Sequence, residues 1–300
     1  MSDMELPEDN ASAYFVQDSG NLEEMDRLEV QDKMITAGMG GVLPELADPT
    51  ALRRVLDVGC GPGGWLIETA RVYPTIEMLV GVDVSNKMIE RARARLETEQ
   101  QGSRVQFRAM DALRILEFPP ASFDLVNQRL GVGWLRTWEW KKILSEYYRV
   151  SCPGGIVRIT EGHVTSESNS PALTKLCQIS LEACSHAGLL FTQETNGITS
   201  QLVRLLREHG FEDVQSRSYT LVYRAGTQMG EYFYEDMLHA FRVAFPFLNK
   251  WTHVPSDYEQ IYQQALIEMQ QPYFEATHTL LTAWGTHPKN GRPMLMRGLQ

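Results

Sequence analysis

The 300-residue chain has no run of 18 apolar residues and no signal-peptide pattern at its start. A membrane span and a secretory route are therefore not expected, and the expected location is the cytoplasm. Its four cysteines, Cys60, Cys152, Cys177 and Cys184, lack metal-type spacing and read as reduced, buried thiols. Nor is there a His and carboxylate motif with metal-ligand spacing, so no metal is expected. Basic residues do not cluster as a nucleic-acid footprint requires, with 28 Lys and Arg against 38 Asp and Glu. The excess acid sits at the start: residues 1–50 hold 12 acidic and 2 basic residues, and the remainder balances to zero. That start reads as a solvated terminal segment, with an interaction tail as the alternative. No repeats or low-complexity tracts interrupt the chain.

What is present is alternation. Asn21-Leu22-Glu23-Glu24 reads as a capped helix start, with Met25, Leu28, Ile35 and Met39 on one face and Gly40-Gly41 as the stop. From Arg54, short apolar strands at Val55–Val58, Met78–Val82, Val105–Ala109, Phe123–Asn127 and Gly155–Thr160 alternate with helices at Trp65–Val72, Lys87–Glu97 and Trp138–Tyr148. Helices at Leu173–His186 and Ser200–His209 follow, then a long strand at Val214–Tyr223, a helical, aromatic stretch and a closing strand at Thr279–Trp284. This order predicts an α/β fold: a Rossmann-like, seven-stranded, mostly parallel sheet with helices on both faces and a helical cap. The expected divisions are an amino-terminal cap (1–50), a core sheet (51–230), a helical lid (231–278) and a closing strand with tail (279–300).

The strongest local signal is Val55-Leu56-Asp57-Val58-Gly59-Cys60-Gly61-Pro62-Gly63-Gly64, an apolar strand running into a glycine turn and then a helix. Open α/β sheets bind ligands at such strand ends, and glycine lets the ligand approach the backbone. Asp83 ends the second strand and can accept from both hydroxyls of a ribose, while Asp111 after the third is placed to accept from an adenine amino group. With Asp57, three carboxylates stand at three consecutive strand ends. That suits a nucleoside carrying a cationic sulfonium and repels a pyrophosphate.

Together these segments resemble the class I S-adenosylmethionine (SAM)-dependent methyltransferases. Val55–Gly64 resembles the glycine-rich motif, Gly81-Val82-Asp83-Val84-Ser85 the second-strand acidic motif, and Met110-Asp111-Ala112 the adenine-contacting motif. Phe123-Asp124-Leu125-Val126-Asn127 is similar to the fourth-strand motif, and Arg149–Gly155 to the turn before strand five. Upstream, Tyr14, Arg27–Gln31 and Gly40-Gly41 resemble the cap of a small-molecule subgroup, to which fungal secondary-metabolism regulators are also similar. The resemblance implies SAM as cofactor. It implies contacts from Tyr14, Gln31, Asp57, Gly59, Cys60, Gly61, Gly63, Asp83, Val84, Met88, Asp111, Ala112, Asn127 and Arg129. The run Asn127–Trp134 departs from many relatives in carrying no acidic or histidine base, and it lacks the Asn-Pro-Pro-Tyr pattern, which argues against nucleobase methylation.

The expected activity is O- or C-methylation of a small, apolar or aromatic acceptor, in secondary metabolism. Tyr234, Phe241 and Trp251, in the aromatic stretch, are the acceptor-side candidates. His163, just beyond strand five, and His239, inside the stretch, are the base candidates. Two alternatives stay open. One is a methyltransferase-fold regulator that binds SAM but acts through protein association. The other is a nicotinamide oxidoreductase.

Overall fold

The computed structural model describes residues 22–99 and 104–290. Apolar runs become the strands β1 (Arg54–Val58), β2 (Met78–Asp83), β3 (Val105–Ala109), β4 (Phe123–Arg129) and β5 (Ser151–Gly162). They pair in the parallel order β3-β2-β1-β4-β5. The runs in β1, β2 and β4 are nearly continuous because both faces of this part of the sheet are covered. Helices α2 (Gly64–Val72) and α3 (Asn86–Glu99) cover one face, against Val55, Leu79, Val105 and Leu125. Helices α4 (Trp140–Val150) and α6 (Leu202–Glu208) cover the other, against Leu56, Val80, Val126 and Val157.

Among the described residues three further strands bring the sheet to eight: β6 (Glu167–Ser168), β7 (Glu212–Arg224) and β8 (Glu275–Thr286). The α/β class and the mostly parallel sheet agree with the sequence; the count of seven strands does not. The additional strand is β6, two residues long and too short to leave a period in the sequence. On one edge β8 pairs antiparallel with β5 and then β6, and on the other with the whole of β7. Strand β7 alternates, with Tyr219, Leu221 and Tyr223 buried and their neighbours exposed, as an edge strand with one solvated face does. The β7–β8 ribbon continues from Thr220 to Arg224 past the end of β5, which stops at Gly162 opposite Leu280.

Helices α7 (Gln228–Val243), α8 (Phe245–Trp251) and α9 (Tyr258–Met269) fill the connection between β7 and β8. With α1 (Leu22–Met39) and α5 (Pro171–His186) they form a second core against that ribbon, built on Met34, Leu176, Tyr223, Phe233, Phe247 and Tyr262. Leu130 and Val132, just past β4, pack against it. This helical layer therefore stands at the carboxyl edge of the parallel strands, the edge that carries the glycine loop.

Candidate cofactor site

Asp57 and the glycine loop after β1 set the floor of the site. Gly59, Gly61 and Gly63 all have positive φ (68°, 51° and 78°), a conformation that costs glycine little. Each does something different there. The Gly59 N–H donates to the Val82 carbonyl (2.9 Å), tying the loop to β2. A Cβ on Gly63 would strike Phe107 at 2.5 Å, so this glycine allows close helix–strand packing. A Cβ on Gly61 would meet only Leu28 Cδ1, at 3.9 Å.

Asp83, at the end of β2, accepts from the Gly61 N–H (3.0 Å) on Oδ2 and from the Ser85 N–H (2.9 Å) on Oδ1. A carboxylate offers about four lone-pair sites, so each oxygen can still accept from a ligand hydroxyl. Burial raises the Asp83 pKa, and its two backbone donors oppose that. At the end of β3, Asp111 accepts from the Leu113 N–H (2.9 Å) and pairs with Arg114 (3.4 Å). Beside these, Ala112 and Met88 are buried and Val84 is exposed. Left-handed glycines open to a ligand, with two carboxylates at successive strand ends, fit a nucleoside cofactor.

Asp57 lies opposite Asn127 in the β1–β4 register and accepts from its Nδ2 (2.7 Å). Burial pushes Asp57 up to about 7; Arg129 opposes the rise most strongly, and the Asn127 hydrogen bond also lowers it. Arg129 pairs with Asp32 of α1 and donates to Thr36 Oγ1 (3.3 Å), with its guanidinium 5.8 Å from the Trp65 ring centre. The Asp32 carboxylate also lies against Gly64, where a Cβ would stand. Through Leu28 and Asp32, α1 reaches across the loop. Trp134 meets the loop from the other side, its ring 3.2 Å from a Cβ position on Gly59.

The remaining candidates are more scattered. Tyr14 falls outside the described residues. Gln31 donates weakly to Asp236 of α7 (3.4 Å), and His239 of α7 bonds Glu23 of α1 (2.7 Å), so both lie on the seam between the two helices. His163 follows β5. Its backbone bonds Thr279 and His278, and burial lowers its ring pKa. Phe241 is buried within the helical layer, Tyr234 bonds Gln270 through its hydroxyl (2.9 Å), and Trp251 bonds His186 through its carbonyl (2.8 Å).

Two groups were missed in the sequence reading. Glu161, completely buried on β5, accepts from Gln128 Nε2 (3.0 Å) and the N–H groups of Gly131 (2.7 Å) and Val132 (3.1 Å). It thereby holds the turn that carries Trp134 to the glycine loop. Arg158, 1% exposed, also lies in β5. A charged residue inside an apolar strand was the available signal for each, since such groups are rarely buried unpaired. Burial pushes Glu161 to about 7, above its ordinary 4.5. A carboxyl raised on folding stabilises the fold fully below its unfolded pKa, and that contribution is lost as pH rises through the folded value. The thermal midpoint is expected to fall between about pH 5 and 7 and to level off above, with Asp57 adding to the same limb. Melting curves of Glu161→Gln should show a shallower limb. An unchanged limb would mean that Glu161 is ionised throughout.

The chain is similar to known methyltransferases. Residues 55–155 match the family model described as a methyltransferase domain. The demethylmenaquinone methyltransferase of Lactococcus lactis is 32% identical over 124 residues, covering 41% of this chain and 47% of that protein. That of Geobacillus sp. is 28% identical over 184 residues, covering 56% and 74%. The match thus spans about half the length of the Lactococcus relative, 47%. Among solved structures, Haemonchus contortus phosphoethanolamine N-methyltransferase 2, in complex with phosphomonomethylethanolamine and S-adenosylhomocysteine, superposes with a TM-score of 0.56 at 20% identity. It covers 91% of this chain and 60% of that one, a likeness of fold. The stretch matched by the methyltransferase-domain model is the one that holds the glycine loop and the strand-end carboxylates.

Proposed function

We propose that the protein transfers a methyl group from SAM to the oxygen or carbon of a small, apolar or aromatic acceptor by in-line displacement. The observation that carries this reading is Asp83. Its two oxygens, each held by one backbone N–H beside a left-handed glycine loop, keep lone pairs to which vicinal ribose hydroxyls would donate. SAM supplies an already activated methyl on a sulfonium, so holding the acceptor in line can supply most of the rate. The chain's own residues have to bind, exclude water and, for a hydroxyl or enol acceptor, take a proton. The aromatic helical layer at the carboxyl edge supports an apolar acceptor; Trp251, half-buried against that layer, is the acceptor-side candidate, since Phe241 packs inside the layer and the Tyr234 hydroxyl turns to Gln270. His163 serves as base, its lowered pKa leaving the ring neutral near pH 7, and His239 is the second candidate. The relatives are named for demethylmenaquinone, which supports a small-molecule acceptor over a nucleic acid. The setting proposed is cytoplasmic secondary metabolism, and among the described residues no helix is long and apolar enough to cross a membrane.

Calorimetry with SAM, S-adenosylhomocysteine and NAD, followed by an acceptor screen with methyl-labelled SAM, tests the proposal. SAM and S-adenosylhomocysteine should bind, NAD should not, and label should appear in an apolar small molecule. Binding of NAD in place of SAM would sink the reading. SAM binding without turnover on any acceptor would favour a regulatory protein of the same fold.

A further inference from the structure

A line of buried polar side chains crosses the sheet beneath the cofactor loop. Asp57, Asn127 and Arg158 are successive partners in the register of β1, β4 and β5, so all three point to the face that also carries α2. Asn127 Nδ2 donates to Asp57 Oδ1 (2.7 Å), and Arg158 Nη1 donates to Asn127 Oδ1 (2.7 Å). The rest of the guanidinium meets Glu45 side-on, with Nε to Oε2 and Nη2 to Oε1 both 3.1 Å. Glu45 Oε1 also accepts from the Tyr219 hydroxyl (2.7 Å). Glu45 belongs to the strap joining α1 to β1. Trp65 Nε1 holds the Val42 carbonyl of that strap (3.0 Å), and Arg217 holds its Pro44 carbonyl (3.1 Å).

We propose that Arg158 is a positioning residue of the cofactor site, orienting the Asn127 amide toward Asp57 with one edge and anchoring the strap of α1 with the other. The inference rests on the SAM-binding reading above. Its chemistry is simple. An amide can turn either end toward a carboxylate, but a guanidinium only donates, so Arg158 claims the Asn127 oxygen and leaves its NH2 for Asp57. That donor favours the ionised carboxylate, the form that attracts a cationic cofactor. Asp57 is also faced by Arg129 from β4, Asp32 from α1, Cys60 in the loop and Tyr147 from α4. Of the cations, Arg158 is the one bonded to the amide. Without it the amide is free to turn its oxygen to Asp57, and the carboxyl holds its proton to higher pH.

Arg158→Met alone would strand the Glu45 carboxylate, so the working variant is Arg158→Met with Glu45→Gln. SAM titrations of the folded double variant and the wild type, from about pH 5.5 to 9, are the test. The double variant should bind about tenfold or more weakly at neutral pH, the range set by a hydrogen bond to a charged group. The midpoint of its affinity against pH should move upward. Arg158→Lys, which keeps a cationic donor, should recover much of both. Unchanged affinity, or weakened affinity with an unmoved midpoint, would overturn the role. A second measurement needs no folded Arg158 variant: side-chain amide spectra of wild-type protein labelled at asparagine, assigned by loss of the signal in Asn127→Ser. The Asn127 amide should exchange slowly and shift as Asp57 titrates. A fast-exchanging, pH-independent amide would overturn the inference even if SAM failed to bind, an outcome that would remove only the functional reading.

Discussion

Gly61→Val is expected to reduce SAM binding below detection while leaving the fold in place. At φ 51° the residue stands in the left-handed region, where a β-branched side chain is an outlier. The backbone strain is about 1–2 kcal/mol, which lowers the thermal midpoint by only a few degrees in a chain of this size. Its Cβ meets no protein atom closer than Leu28 Cδ1 at 3.9 Å, so packing does not resist it. The branch instead fills the gap between the loop and α1, at the point where the loop amide faces Asp83. Calorimetry alongside circular dichroism separates the two effects. A folded variant with normal affinity would show that the loop does not cradle the cofactor.

Asp83→Ala is expected to weaken SAM by about 2–3 kcal/mol, from the loss of two charge-assisted hydrogen bonds. In affinity that is about 30- to 150-fold. Alanine also leaves the Gly61 and Ser85 amides without their acceptor, so part of the loss comes from a loosened loop. Asp83→Asn keeps one oxygen acceptor and separates the contributions, and its affinity should fall between those of the wild type and the alanine variant. Unchanged binding in either variant would mean that the second strand does not carry the ribose site.

These two residues were readable in the sequence because their environment is local. A five-residue apolar strand, a glycine turn and a carboxylate one strand later depend on contacts within about one βαβ unit, and backbone rules govern them. The Arg129–Asp32 and Arg158–Glu45 pairs join residues 97 and 113 positions apart, and neither partner carries a mark of the other. The task of Glu161 has no local mark, since it depends on the turn after β4 folding back onto β5. Aromatic residues were harder again. Composition placed Tyr234, Phe241 and Trp251 in a helical layer, but the direction of each ring is set by packing. Phe241 is turned into the helical core, and the Tyr234 hydroxyl out to Gln270. The strand β6 escaped because two residues form no pattern.

The β7–β8 ribbon behaves as a beam supported along its length. Its root is clamped: β5 bonds β8 from Leu280 to Thr286, and β7 bonds β8 along its whole length. Beyond the last residue of β5 it carries α7, α8 and α9 as a roof, and there β6 bonds β8 at Thr277 and Ala276. Backed by β5 at one end and by β6 at the other, the beam resists bending out of the sheet, and the roof is held with it. The other half, α1, rests on the same beam: Gly38 lies against Leu221, and Met34, Ile35 and Met39 share a core with Tyr219 and Tyr223. Both halves of the enclosure therefore hang from one support, and a change that bends the beam should shift the roof and α1 together.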